Sequence, residues 1–297
     1  MKFDFKPKER FTIFALQIGG FLPLCFTSAN LLILDRNVVI SAENILRGGR
    51  HRDNKANIWW HNFINGPSYL LNPCLAALES SSMSIPTYEE FHREFERCCE
   101  ILRRAFPKAR VLNYTSEARK GAYDLVEEIT KNYNEEVAFL QDAVPLIAVR
   151  NPEFRLASVE EELFSLSRNS GLSRPTLSLL ACLSCLYEGA TNETASPARR
   201  VLKTKQKYTE AMAHNAIMDL YSLQFLIQGS ARLDTNVALC TSDKPLLKFW
   251  CAMKVKPGGT VTARGFEVNM ELSDAMFPNL NERAIIDLKQ RLDFYTC

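Results

Sequence analysis

The distribution of apolar residues is most distinctive in two short aliphatic runs that lie far apart in the chain. Leu31–Leu34 is followed by Asp35, and residues 237–240 are followed, after two hydroxyl residues, by Asp243. Uncharged runs of this composition predict strands that are buried on both faces of a sheet. Ligands of open α/β sheets bind at the carboxyl ends of the strands. If the two strands are parallel neighbours, Asp35 and Asp243 face each other at that edge.

Most of the chain between these runs has a helical pattern. Over residues 85–188 apolar side chains recur at spacings of three and four, which is typical of amphipathic helices. Thr87 and Glu90 have the spacing of a capping box that begins one helix, and Ser158 and Glu161 have the same spacing further on. Strands that enclose helical segments indicate an α/β protein.

Two further acids lie on predicted helices. The segment 207–228 is predicted to form a long helix that stops at Gly229, and on it Asn215 and Asp219 share one face because they are four residues apart. This polar face either contacts solvent or packs at a site. The helix leads directly into the second aliphatic run, so Asp219 can reach the same sheet edge.

The other acid follows a short early helix. Asn72 is a favoured N-cap residue, and Pro73 is tolerated at the first helical position. Glu79 lies at the end of the first turns of this helix. The segment by itself favours a solvent-facing Glu79, and Glu43 and Asp53 are alternatives for the same role.

The first 34 residues allow two interpretations. Basic residues precede an uncharged run over residues 11–34, a pattern that is typical of a secretory signal or a membrane anchor. The run also contains Gly19, Gly20 and Pro23, and it continues directly into Leu31–Leu34. We favour two core strands, over residues 12–18 and 31–34, with a Gly-Gly turn between them.

Composition narrows the function classes. The chain has 297 residues, a formal net charge of +2 and nine cysteines, an odd number without regular spacing. Because the net charge is near zero, the molecule as a whole has no strong positive field that would indicate a nucleic-acid partner. Unpaired cysteines in a chain of this length indicate reduced thiols and a cytoplasmic location. The single pair Cys182 and Cys185, with four His in the whole chain, does not have the ligand pattern of a structural zinc site.

Local basic clusters could still bind a phosphate backbone, although a solvated loop is favoured for the first by itself and a solvated helix start would also explain the second. One cluster precedes two tryptophans, and the other follows the clearest loop. Their residues are Arg47, Arg50, Arg52 and Lys55 in the first cluster, and Arg199, Arg200 and Lys203 in the second.

The four acids suggest one chemistry if they converge. Phosphodiester hydrolysis needs an activated water and a stabilised leaving oxygen, and carboxylates that hold Mg²⁺ or Mn²⁺ supply both. Converging carboxylates repel each other without a cation. Convergence of Asp35, Glu79, Asp219 and Asp243 would therefore imply a bound metal ion.

The order of these segments resembles the PIN-domain nuclease family. The matching segments are the strand that ends in Asp35 with Asn37 two residues later, the early helix with Glu79, the helix with Asn215 and Asp219, and the Thr241-Ser242-Asp243 sequence. The resemblance implies a three-layer α/β/α sandwich with a central parallel sheet. It also implies a metal-dependent endoribonuclease whose four acids are ligands and catalytic groups, supported by hydrogen bonds from Asn37, Asn215 and Ser242.

The chain is longer than a minimal PIN domain. We interpret residues 1–297 as a single PIN-like domain in which residues 107–205 form a helical insertion that shapes substrate choice or binds a partner. The family also suggests an RNA substrate, a toxin-like role and a regulatory protein partner. The alternative is a PIN-like binding or scaffold protein without catalysis. A hydrolase with a G-x-S-x-G nucleophile and a P-loop nucleotide enzyme are disfavoured because both motifs are missing from the sequence.

Overall fold

A mixed sheet lies at the centre of the protein in the computed structural model, which describes residues 12–48, 60–79, 83–191, 194–233, 235–256, 260–262, 265–267 and 270–294. The strands are β1 (Phe14–Gln17), β2 (Gly20–Pro23), β3 (Leu31–Leu34), β4 (Leu70–Asn72), β5 (Arg110–Val111), β6 (Val237–Thr241), β7 (Thr260–Thr262) and β8 (Gly265–Glu267). Six of them form the sheet in the order β2-β1-β6-β3-β4-β5, and β7 and β8 form a separate hairpin.

The central strands are parallel. β3 pairs in parallel with both β4 and β6, and β5 continues the parallel part beyond β4. Leu34 lies opposite Cys240, so β3 and β6 end at nearly the same level. The predicted strands and their parallel pairing are confirmed. The sheet as a whole is mixed, because β1 and β2 add an antiparallel pair at the β6 side.

Helices account for most of the remaining described chain. They are α1 (Arg36–Leu46), α2 (Cys74–Leu78), α3 (Tyr88–Ala105), α4 (Ser116–Thr130), α5 (Tyr133–Ile147), α6 (Glu153–Asn169), α7 (Leu177–Leu186), α8 (Arg199–Leu202), α9 (Glu210–Arg232), α10 (Lys244–Met253) and α11 (Glu282–Phe294). Residues 60–64 are also helical, and Leu24–Phe26 form a 3₁₀ turn. The prediction that residues 85–188 are mostly helical is confirmed, with β5 as the exception.

Alternating side chains of β3 enter two separate hydrophobic cores. Leu31 and Ile33 belong to a large core with α2, α5, α7 and α9, whereas Leu32 and Leu34 belong to a smaller core with α1. All four are buried, and each buried aliphatic side chain stabilises the fold by about 1.5–3 kcal/mol. Helical residues therefore pack against β3 in both cores.

The uncharged N-terminal run forms strands. Residues 12–34 contain β1, β2, the 3₁₀ turn and β3, and Gly19 makes the first turn at φ +91°. The strand β2, which forms a hairpin with β1, was not predicted. The Gly-Gly turn therefore connects β1 to β2, and not β1 to β3. Within the described residues, no helix has both the length and the apolar character needed to cross a membrane.

Two predicted helix boundaries are wrong. α9 does not stop at Gly229 but continues to Arg232. Gly229 is buried and packs against the sheet, where a Cβ on it would lie 3.9 Å from Ile33 Cδ1. Ser158 does not begin a helix either. α6 starts after Pro152, so Ser158 lies inside it and donates to the backbone oxygen of Arg155 at 2.9 Å.

We expect Trp250→Phe to loosen the β1–β2 hairpin. Trp250 Nε1 donates to the backbone oxygens of Gln17, at 3.0 Å, and Gly20, at 2.7 Å, so the substitution leaves both without this donor. The free energy of unfolding should fall by about 2 kcal/mol. In native-state hydrogen exchange, the amides of β1 and β2 should exchange faster, while those of α3 serve as the unaffected control. Unchanged exchange in the hairpin would show that Trp250 does not hold it.

Candidate acidic site at the sheet edge

Asp35 follows β3 directly and is the N-cap of α1. Its backbone N–H donates to Cys240 O at 3.0 Å, which continues the pairing with β6 by one residue. Its carboxylate accepts from the backbone and side-chain nitrogens of Asn37, both at 3.3 Å, and from Thr241 Oγ1. The side chain is therefore held in one orientation while the residue is only 5% exposed.

Asp243 occupies the corresponding place after β6. It is the N-cap of α10, and its Oδ1 accepts from the backbone N–H of Leu246 at 2.9 Å. Its own backbone N–H donates to Thr241 Oγ1 at 2.9 Å. Thr241 thus connects the two aspartates, since its hydroxyl donates to Asp35 and accepts from Asp243.

Helix capping alone would account for both aspartates, because Asp is a favoured N-cap residue. Glu79 and Asp219 cannot be explained in this way. Glu79 is the C-terminal cap of α2, where a negative charge opposes the helix dipole, and Asp219 lies in the middle of α9. Within the described part of the chain, neither carboxylate accepts a hydrogen bond.

The electrostatics of these two carboxylates place the four acids together. Burial is the main cause that raises the pKa of Glu79 to about 8, followed by repulsion from Asp35 and Asp219. Burial likewise raises the pKa of Asp219 to about 8, with repulsion from Asp243 and Asp35 adding to it. Burial also raises the pKa of Asp35, assisted by Asp243. Electrostatic repulsion therefore connects the four acids that were predicted from separate segments.

Two cations face this cluster. Arg36 and Lys203 both lower the pKa of Glu79, and Lys203 also lowers that of Asp219. Lys203 is exposed and ends α8 in the left-handed conformation, at φ +52°. The site thus combines four carboxylates with two cations, a balance that leaves net negative charge when all of them are ionised.

The donor chemistry of the site suits a hard divalent cation. Mg²⁺ prefers carboxylate oxygens and usually keeps several waters, so that one or two carboxylates bind it directly. Among the described residues no group of three or more acids, histidines or cysteines is arranged to bind one ion directly. An ion at this site would therefore have to be held by Asp35, Asp243, Glu79 and Asp219 partly through bound water.

The predicted supporting residues have different surroundings. Asn37 is exposed but donates two hydrogen bonds to Asp35. Asn215 is exposed one turn before Asp219, and Ser242 is partly buried next to Asp243. Thr241 was not singled out as a site residue, although its position two residues before Asp243 suits a side chain that caps a turn.

The predicted N-cap of α2 is shifted by one residue. Asn72 still belongs to β4, and its side-chain oxygen accepts from the backbone N–H of Cys74 at 3.0 Å. Pro73 then precedes the first helical residue. The carboxyl end of β4, next to β3, therefore directs α2 and Glu79 towards Asp35.

The first basic cluster contributes one described residue. Arg47 is exposed and forms an ion pair with Glu43 at 2.6 Å; Glu43 also pairs with Arg97, so Glu43 does not take the role of Glu79. The other residues predicted in this region, Arg50, Arg52, Lys55 and the alternative acid Asp53, lie outside the described residues.

The second basic cluster is divided. Arg199 is engaged inside the protein: its guanidinium contacts Glu188 at 2.6 Å and the backbone oxygens of Ile147 and Ala148 at 3.0 and 3.2 Å. These contacts use its donors and favour a structural role over phosphate binding. Arg200 and Lys203 are exposed, and Lys203 faces the acids.

Comparisons of the chain with protein-family models, with curated proteins and with solved structures found no match. The case for a function therefore depends on the residues and contacts described above.

We expect the metal-free protein to be more stable at pH 5.5 than at pH 8.5. Glu79 and Asp219 bind protons more tightly when folded than when unfolded, so the stability they contribute is present below about pH 4 and is lost as the pH rises through about 8. Asp219→Asn removes one of these groups and should reduce the loss of stability by up to about 3 kcal/mol, since about 2.5 pH units separate pH 5.5 from the pKa of about 8. Urea unfolding in the presence of EDTA measures the free energy of unfolding of both proteins at the two pH values.

Other buried acids also contribute to this pH dependence, Glu136 among them, with a pKa raised to about 7 mainly by burial. The difference in pH dependence between the wild type and Asp219→Asn measures the contribution of the acidic site alone. Asp142→Asn, an exposed position on α5, is the matched control and should behave like the wild type. An equal pH dependence in wild type and Asp219→Asn would contradict the clustering of the acids.

Proposed function

We propose that this protein is a PIN-like, metal-dependent endoribonuclease with a three-layer α/β/α fold. The observation that carries the proposal is that Asp35 and Asp243, joined by Thr241 at the carboxyl ends of β3 and β6, interact electrostatically with Glu79 and Asp219 from two other segments. Two of them are held in place by hydrogen bonds. The other two are enclosed without such bonds from the described chain and are energetically costly, which is the arrangement expected where a cation completes the site.

The two kinds of carboxylate have different roles in this proposal. Asp35 and Asp243 use part of their hydrogen-bonding capacity on their own helices, so their direction is set before any ligand arrives. Glu79 and Asp219 keep their oxygens available to bind an ion or to orient an attacking water. A bound Mg²⁺ or Mn²⁺ would lower the pKa of that water and stabilise charge on the phosphate oxygens.

RNA is the substrate that we propose on the basis of the family resemblance. Lys203 acts on the acids, Arg200 is exposed three residues before it, and in this proposal both would hold the phosphate backbone of the substrate. The proposal includes a cytoplasmic location, which suits free thiols: the eight cysteines among the described residues are unpaired. A regulatory partner protein, as in toxin-like PIN proteins, is part of the same resemblance.

A PIN-like scaffold without catalysis is the second candidate. It is favoured by the open arrangement of the acids, since no compact ligand group is found within the described residues. A scaffold could still bind RNA through Arg200 and Lys203. Cleavage is the property that separates the two functions.

The decisive experiment is the cleavage of labelled single-stranded and structured RNAs with Mn²⁺, with Mg²⁺ and with EDTA. We expect metal-dependent cleavage that falls on the order of 100-fold or more in Asp35→Asn and in Asp243→Asn. Asn is as good an N-cap as Asp, so these variants remove charge while α1 and α10 keep their caps. Asp142→Asn is the control of equal chemistry on an exposed helix surface.

Each other outcome has a definite meaning. Equal cleavage by wild type and both variants would assign the activity to another site or to a contaminating nuclease. Folded protein that binds RNA but cleaves under no condition would favour the scaffold. Cleavage that is insensitive to EDTA would contradict the metal dependence.

We expect Lys203→Gln to weaken RNA binding without abolishing cleavage. Loss of one phosphate contact should raise KM by about tenfold and reduce the salt dependence of binding by about one unit in the log–log slope. The maximal rate at saturating RNA should change less than KM. Lys289→Gln, an exposed lysine on α11, is the control. An unchanged KM and salt slope would remove Lys203 from the RNA interface.

A further inference from the structure

Arg36 joins the two acidic segments of the site that belong to β3 and β4. It follows Asp35 in the chain, and its Nη1 donates to the backbone oxygen of Glu79 and, at 3.1 Å, to that of Ala76. The same nitrogen lies 3.7 Å from Glu94 Oε1 on α3. The side chain of Arg36 is 25% exposed, so these interactions are largely shielded from water.

The helix that ends at Glu79 needs such an anchor. α2 has five residues, and isolated helices of this length are unstable because the cost of nucleation is recovered over few hydrogen bonds. The carbonyl groups of its last turn lack partners within the helix. Arg36 supplies donors to two of the carbonyls near the C-terminus, and its positive charge interacts favourably with that end of the helix dipole.

We propose that Arg36 is a positioning residue that anchors the last turn of α2 and thereby directs Glu79 at Asp35 for joint binding of the metal ion. Asp35 and Arg36 are adjacent in the chain. A single peptide unit therefore connects the carboxylate of Asp35 to the residue that anchors Glu79. Arg36 contacts the backbone at Glu79 and leaves the carboxylate of Glu79 available. The metal-binding part of this inference depends on the proposed nuclease function.

The test compares Arg36→Met and Arg36→Lys with the wild type in two measurements. The first is hydrogen exchange of the amides of Ala77 and Glu79, which donate to Pro73 and Leu75 at 3.0 Å in the intact α2. The second is the Mn²⁺ concentration that gives half-maximal RNA cleavage. Arg104→Met, which removes an exposed arginine of α3 near Glu100, is the matched control.

We expect Arg36→Met to accelerate exchange at both amides about tenfold and to raise the half-saturating Mn²⁺ concentration 10- to 100-fold, the range found when groups that orient metal ligands are removed. The maximal cleavage rate should recover in part at high Mn²⁺. Arg36→Lys keeps a donor and a positive charge and should restore part of both properties, whereas Arg104→Met should behave like the wild type.

Unchanged exchange and unchanged Mn²⁺ dependence in Arg36→Met would overturn the proposal while leaving the nuclease function intact. If Arg36→Met does not fold, Arg36→Gln takes its place, because it also removes the positive charge and shortens the side chain, and wild-type values in both measurements would again overturn the proposal. A wild-type protein that neither cleaves RNA nor binds Mn²⁺ would instead refute the nuclease function. In that case accelerated exchange in Arg36→Met would still support the anchoring of α2, and normal exchange would reject it.

Discussion

The acidic site depends on the parallel pairing of β3 with β6. This pairing brings Asp35 and Asp243 to neighbouring strand ends although their charges repel, and Thr241 connects them by its hydroxyl. Two like charges near a protein surface repel by up to about 4 kcal/mol at 4 Å, whereas each buried aliphatic side chain stabilises by about 1.5–3 kcal/mol. The strand residues that precede both aspartates are all buried, so a few of them offset the repulsion.

The sequence allows the parallel centre of the sheet to be predicted because burial on both faces leaves a recognisable aliphatic run. β3 and β6 could be located in this way, and the acids that follow them were identified with them. β5 could not, since its two residues, Arg110 and Val111, carry no periodic pattern and become a strand only by pairing with β4. β2 was missed because it has no alternation of polar and apolar residues and is defined by its turn at Gly19 and Gly20.

The basic residues show where prediction of the site ends. Arg199, Arg200 and Lys203 look alike in the sequence, yet Arg199 pairs with the buried Glu188 and with carbonyls at the end of α5, while Lys203 faces the acids. These environments are set by how α8 packs on the helices before it, which local spacing does not encode. Arg36 was overlooked for the same reason: its contacts with Ala76 and Glu79 join segments about forty residues apart.

The four acids differ in what holds them, and this difference bears on how the site can work. Asp35 and Asp243 are fixed by helix caps that form with or without a ligand, whereas Glu79 and Asp219 are partly buried, have raised pKa values and depend on surrounding elements for their direction. In the absence of a cation, protons relieve the repulsion at neutral pH. A divalent ion that binds must displace those protons, so ion affinity should increase with pH. In the proposed function the fold thus keeps a destabilised cluster ready for a cation, and the two hydrophobic cores supply the stability that is given up at this sheet edge.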